Sequence, residues 1–294
     1  MHIVFIHGMN QQQLNAQSLR KHWLSVLKHG LSRNHLLFQF DSHQLHFPFY
    51  GDLLTQFHLS NRLDLDTFLP KSLLSLHLPA HLHIPSFALF KEKQTSGHTH
   101  LFDLAMIKKK LLDERLTAKD QSLKELMILL DHFPKLHEEL MHTFLIETYC
   151  YLANQSFMQR VHQRIRIGIP VQQPCIIVAH SLGSVIAYNL LRQMCNISNI
   201  QGFITLGSPL AFRVIQQHLI QPISYPECLH GVWHNFYSHD DFLTAFPLEK
   251  PPFDFDPPIL NHEISTSSAH PHEISGYLQN IEVLKALIES CQSR

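Results

Sequence analysis

The sequence predicts an α/β protein: a mostly parallel central sheet with helices on both faces, plus a mainly helical insertion. Three observations carry this prediction. Short continuous apolar runs recur at 3–6, 176–178 and 203–206, as in strands covered on both faces. Segments with apolar residues at helical spacing lie between such runs. This alternation of strand and helix occupies both ends of the chain and is interrupted in the middle, where the composition changes.

Taken in order, the run 3–6 closes at His7-Gly8. Leu19, Trp23, Val26 and Leu27 then repeat at helical spacing, and Gly30 supplies a C-terminal stop. Residues 36–40 read as a second strand, leading to "HFPFYGDLL", where Pro48 and Gly51 break the pattern. From Asp52 the character changes: 73–90 is apolar and punctuated by proline, and 91–100 is polar and loop-like. Helical stretches follow at 101–117, 121–133 and 136–165, with Pro134 separating the last two. A strand at 176–178 and a helix at 182–194 resume the alternation. Strands at 203–206 and 232–237 come next, then a short last strand at 264–267. Tyr277, Ile281, Leu284 and Ile288 form one stripe of a closing helix. The reading is a core made of 1–51 and 136–294, with 52–135 inserted as a cap.

Bulk properties narrow the function. The chain has 294 residues, 45% hydrophobic and 16% charged, with a formal charge of −1, so no basic face marks a nucleic-acid partner. No apolar run approaches the length of a membrane span, which leaves peripheral contact with a lipid surface open. Five widely spaced cysteines without a CxxC, and a first strand with no leader-like segment before it, point to a reducing, cytoplasmic setting. The 25 histidines are a compositional bias; the pairs His81/His83 and His98/His100 lack companion ligands and read as adventitious.

The segment "CIIVAHSLGSVIAYNLL", 175–191, has the shape of a strand–turn–helix that presents a nucleophilic serine, Ser181. A serine hydroxyl needs a base to take its proton and donors to stabilise the resulting oxyanion. A sharp turn at a strand end thrusts the side chain out, and the following helix aims free N–H groups at developing charge. Such a turn requires small residues two before and two after the serine. Gly183 meets the second demand, and Ala179 replaces the usual first glycine at the cost of one methyl. The backbone N–H groups of Leu182 and Met9 are the candidate oxyanion donors. Downstream, "VWHNFYSHDDFLTAF" offers Asp240 and Asp241, and "SSAHPHEISGYL" offers His270 and His272. Serine, acid, histidine is the chain order this architecture uses, with histidine as general base and the carboxylate orienting it. Asp254 and Asp256 read as loop acids, Ser208 as a turn residue, and His7 and His180 as packing or bracing residues.

Together "VFIHGM", "VAHSLGS", "ITLGSPL" and "NFYSHDDFLTA" make the chain resemble the α/β-hydrolase fold serine hydrolases, in their lipase and esterase branches, over 1–50 and 170–294. In related sequences an N-x-Y stretch precedes an Asp that is followed by two small or apolar residues. Matching Asn235 and Tyr237 implies Asp241, with Asp240 the fallback. The family's histidine stands a few residues before an aromatic opening the last helix, which implies His272 ahead of Tyr277, with His270 the fallback. The resemblance implies a cap formed by the insertion and an ester or thioester substrate, lipid-like or small, with no metal or organic cofactor. An amidase or peptidase using the same triad, and a catalytically silent interaction protein keeping the fold, are the alternatives.

Overall fold

The three apolar runs and the segment 229–237 form the middle of a six-stranded, wholly parallel sheet ordered β2-β1-β3-β4-β5-β6. The computed structural model describes residues 1–8, 11, 14–60, 147, 148, 150–170, 173–194, 199–241, 244, 246–249, 251–266 and 270–292. The strands are β1 (His2–Ile6), β2 (Leu45–His46), β3 (Pro174–His180), β4 (Asn199–Leu206), β5 (Leu229–Tyr237) and β6 (Leu260–Glu263). The helices are α1 (Ala16–Arg33), α2 (Gly51–Ser60), α3 (Gln155–Ile167), α4 (Leu182–Leu191), α5 (Arg213–Gln216), α6 (Ile274–Leu278) and α7 (Ile281–Gln292). Parallel strands need crossovers; helices on both faces supply those as far as β5, while no helix lies among the described residues between β5 and β6.

Alternation along the strands divides the core in two. Ile3, Phe5, Ile176, Val178, Ile204, Leu206 and Phe236 face one way and pack with Leu19, Trp23, Leu278, Leu284 and Leu287 of α1, α6 and α7. Phe203 and Trp233 face the other way, where Tyr188 of α4 lies 5.7 Å from Trp233 between ring centroids. Every residue of β3 from Cys175 to Ala179 is at most 1% exposed, which is why the run carries no polar alternation. Each such buried aliphatic contributes about 2 kcal/mol.

Several boundaries depart from the sequence reading. Residues 36–40 are extended, but they are not in the sheet: Leu36, Phe38 and Phe40 pack half-buried on the core while Leu37 is fully exposed. Period-two hydrophobicity reports an extended chain with one covered face, whether or not a ladder forms. The second strand is the two-residue β2, which pairs Ile3 with Leu45. Likewise β6 ends at Glu263, before the predicted 264–267. Gly30 does not stop α1, which continues to Arg33 and is capped by Asn34. A Cβ at Gly30 would come within 2.8 Å of Gln279 Cα, so this glycine serves a close crossing of α1 with the end of α6. The closing helix is two helices, α6 and α7, and its stripe from Tyr277 to Ile288 crosses the break at 279–280. Asn154 divides the last part of the predicted 136–165 helix by capping α3 through Phe157 N–H at 2.8 Å.

The chain separates into two compact units, 1–56 with 136–294, and 57–135. The sheet belongs to the first. Apart from 57–60, the second unit, and with it most of the predicted cap, lies outside the described residues, as do the predicted helices at 101–117 and 121–133 and the stretch 73–90.

Strand order locates the site. After β1 the chain passes through α1 to β2 on one side, and β3 returns on the other side of β1. Connections leaving β1 and β3 diverge, so a crevice opens at their carboxyl ends, where ligands of open α/β sheets bind. The register Ile6↔Ala179 puts His7-Gly8 directly beside His180-Ser181.

Candidate active site

Ser181 occupies the turn between β3 and α4 with φ 54° and ψ −132°, a conformation that non-glycine residues rarely adopt. The surroundings enforce it. Its N–H donates to Leu206 O at 3.0 Å, and its carbonyl accepts from Ser184 N–H at 2.9 Å and from Ser184 Oγ at 2.6 Å. Space is tightest on the helix side: a Cβ at Gly183 would lie 2.3 Å from His7 O and 2.6 Å from Ile6 O. Ala179, on the strand side, carries its methyl fully buried, so the glycine demand of this turn falls on position 183. Gly8 is equally constrained, since a Cβ there would stand 2.6 Å from Ser181 Cβ.

The structure brings Ser181, His272 and Asp241 together, each at most 6% exposed. Ser181 Oγ lies 2.7 Å from His272 Nε2, and His272 Nδ1 lies 2.7 Å from Asp241 Oδ2. An ionised carboxylate only accepts, so His272 donates through Nδ1 and Nε2 accepts the serine proton. Asp240 and His270 are not part of this arrangement. Asp240 is exposed, with its N–H on Ser238 Oγ at 3.2 Å, and His270 is exposed and pairs with Glu273 at 3.7 Å. Asp254 and Asp256 are exposed as well. Ser208 caps the turn before Leu210 and also bonds Ser184 Oγ at 2.7 Å.

Both flanking histidines are neutral struts. His7 Nδ1 donates to Gly8 O at 2.8 Å while Nε2 accepts from Tyr50 N–H at 3.2 Å. Burial lowers its pKa to about 4, against the opposing pulls of the Gly8 carbonyl and Asp52. Tyr50 stacks on the His7 ring at 3.9 Å and donates its hydroxyl to His7 O at 2.6 Å, fixing the turn after β1. His180 Nε2 donates to His272 O at 3.0 Å, and burial, aided by the nearby His272, holds its pKa well below the usual value. The residue before the serine thus ties down the backbone of the histidine that serves it. The sequence marks His180 as a packing or bracing residue; its partner His272 and the role of Tyr50 have no local signal, because each bond joins residues far apart in the chain.

Leu182 opens α4, so its N–H has no acceptor within the helix and points with the positive end of the helix dipole toward the Ser181 side. Met9, the other candidate donor, lies outside the described residues, as do the pairs His81/His83 and His98/His100. No group of three or more potential metal ligands occurs among the described residues, and no helix among them is long and apolar enough to cross a membrane. This arrangement can move a proton from Ser181 to His272 and hold the resulting imidazolium beside a buried carboxylate. Compared with models of protein families, with curated proteins and with solved structures, the chain matches none.

Proposed function

We propose that the protein is a serine hydrolase that cleaves a carboxylic ester or thioester through an acyl-enzyme on Ser181. One observation carries the reading: an unbroken Ser181–His272–Asp241 relay, with both bonds at 2.7 Å, ends on a serine held at positive φ at the head of a helix. As Ser181 Oγ attacks the acyl carbon, its proton passes to His272 Nε2, and Asp241 stabilises the imidazolium. The carbonyl oxygen gains the negative charge and takes a hydrogen bond from Leu182 N–H, a donor of a kind worth about 3 kcal/mol in the transition state. The tetrahedral intermediate collapses, the bond to the alcohol or thiol breaks, and the leaving group takes the proton from Nε2. Water, deprotonated by the same nitrogen, then releases the acid and restores Ser181.

Further support comes from the motif resemblance and from the switch-point crevice between β1 and β3. A cytoplasmic location belongs to the same proposal; Cys150 and Cys175 are buried thiols. The test is a fluorophosphonate probe, with a small alkyl member included to reach a covered serine. Wild type labels and Ser181→Ala does not. A folded wild type that no member labels sinks the proposal.

A further inference from the structure

Asp241 receives a second proton donor at the very oxygen that faces His272. Tyr277 Oη lies 2.5 Å from Asp241 Oδ2 and 3.0 Å from Thr244 Oγ1. Each hydroxyl has one proton, so the directions are determined. Tyr277 donates to the carboxylate, which cannot donate back, and Thr244 therefore donates to Tyr277 at 3.0 Å in preference to Ser238 O at 3.5 Å. Ser238 N–H in turn donates to Thr244 Oγ1 at 3.3 Å. The result is a directed chain, Ser238 N–H to Thr244 to Tyr277 to Asp241 Oδ2, which meets the His272 Nδ1–H at the same atom. Each bond polarises the next, which strengthens the last one.

The fold makes room for this phenol. Tyr277 is fully buried, and a Cβ at Gly207 would come within 3.0 Å of its ring; Gly207 itself stands at φ 55°. Burial, then the neighbouring Asp241, raises the Tyr277 pKa far above its usual value, so the phenol remains a donor at all working pH.

We propose that Tyr277 is a positioning residue that acts on His272 through Asp241: by occupying Oδ2 it fixes the carboxylate that orients the imidazole and takes up part of its charge. The proposal rests on the reading of Ser181 as nucleophile for its kinetic consequence, and on geometry alone for its effect on His272. A lone carboxylate beside a histidine favours the imidazolium, and a competing donor on that carboxylate offsets this. Other groups facing the pair are His180, whose ring lies 5.0 Å from that of His272 and 5.8 Å from that of Tyr277, and Asp240, which acts on Tyr277 electrostatically. His270 and Glu273 pair with each other on the exposed side of the same loop.

The experiment is the pH dependence of kcat/KM for p-nitrophenyl acetate in wild type, Tyr277→Phe and Thr244→Val. Without the phenol donor the acid limb of the profile moves to higher pH while the plateau stays within about tenfold. Thr244→Val moves it the same way by less, and decides the matter if Tyr277→Phe does not fold. Acid limbs that coincide with wild type in folded variants overturn the proposal. If wild type shows no hydrolysis dependent on Ser181, the functional reading fails separately. The NMR titration of His272, assigned with His272→Gln, then decides: an upward shift in Tyr277→Phe supports the coupling, and an unmoved titration overturns it.

Discussion

At the scale of residues, the turn around Ser181 explains why one glycine of the familiar pattern is dispensable and the other is not. The pinch is between α4 and the end of β1, where a Cβ at Gly183 meets two carbonyl oxygens. Gly183→Ala must push β1 and α4 apart, and it is expected to lower stability by about 1–3 kcal/mol and to abolish probe labelling. Ala179→Gly removes one buried methyl and adds backbone freedom in a strand; it is expected to cost about 1–2 kcal/mol and to keep labelling. Urea denaturation of both variants, with labelling in parallel, separates them. Equal effects at the two positions would contradict this account. The trio Ser181, Asp241 and His272 was legible because chain order and motif spacing survive without coordinates. The motif resemblance favours Asp241 over Asp240 and His272 over His270, and burial in the folded chain separates each pair. Thr244, Tyr50 and His180 stayed illegible as partners because neither periodicity nor spacing reports a hydrogen bond across the fold.

At the scale of elements, strands were readable in proportion to how deeply the sheet covers them. β1, β3, β4 and β5 are interior strands; apolar runs announce the first three, and β5 shows instead a mixed pattern with Trp233 and Phe236 buried. β2 and β6 are the edges, two and four residues long; in β2 only Leu45 is buried, and the side chains of β6 are half-buried or exposed. Their place is set by pairing with β1 and β5, which no local pattern encodes. Conversely, 36–40 carries the alternation of a strand without a ladder partner. The helix crossing at Gly30 has a mechanical consequence for the site, because α6 begins two residues after His272. Gly30→Leu is expected to displace the α6 end from α1, destabilise the fold by about 2 kcal/mol and reduce labelling of Ser181 more than a matched surface change on α1 such as Lys28→Leu. Labelling rates normalised to folded protein check this; unchanged labelling in a destabilised Gly30→Leu would show that the crossing and the site are independent.

At the scale of the whole molecule, buried histidines make the fold sensitive to acid. His7 and His234 have pKa values lowered to about 4, chiefly by burial, and His46, His162, His180 and His262 are lowered as well. In the unfolded chain these side chains take protons near pH 6.5. The unfolded state therefore binds more protons than the folded one between about pH 6.5 and about pH 4. Stability is complete above that window and is lost as pH falls through it, by about 3 kcal/mol for His7 alone. Calorimetry across this range is expected to show a falling Tm, with a steeper slope than a single histidine produces. A Tm that is flat from about pH 7 to about pH 4 would mean that these rings are hydrated in solution.

The pairing of β1 with β3 joins residues separated by everything between Ile6 and Pro174, including the whole of 57–135. The two central strands can zip together only after that long loop has closed, so this sheet is a fold of high contact order and slow assembly. Closure entropy grows only logarithmically, by about 0.6 kcal/mol for each doubling of loop length. Residues 57–135 can therefore lengthen, shrink or be exchanged in evolution at almost no entropic cost to the strands that hold Gly8 beside Ser181.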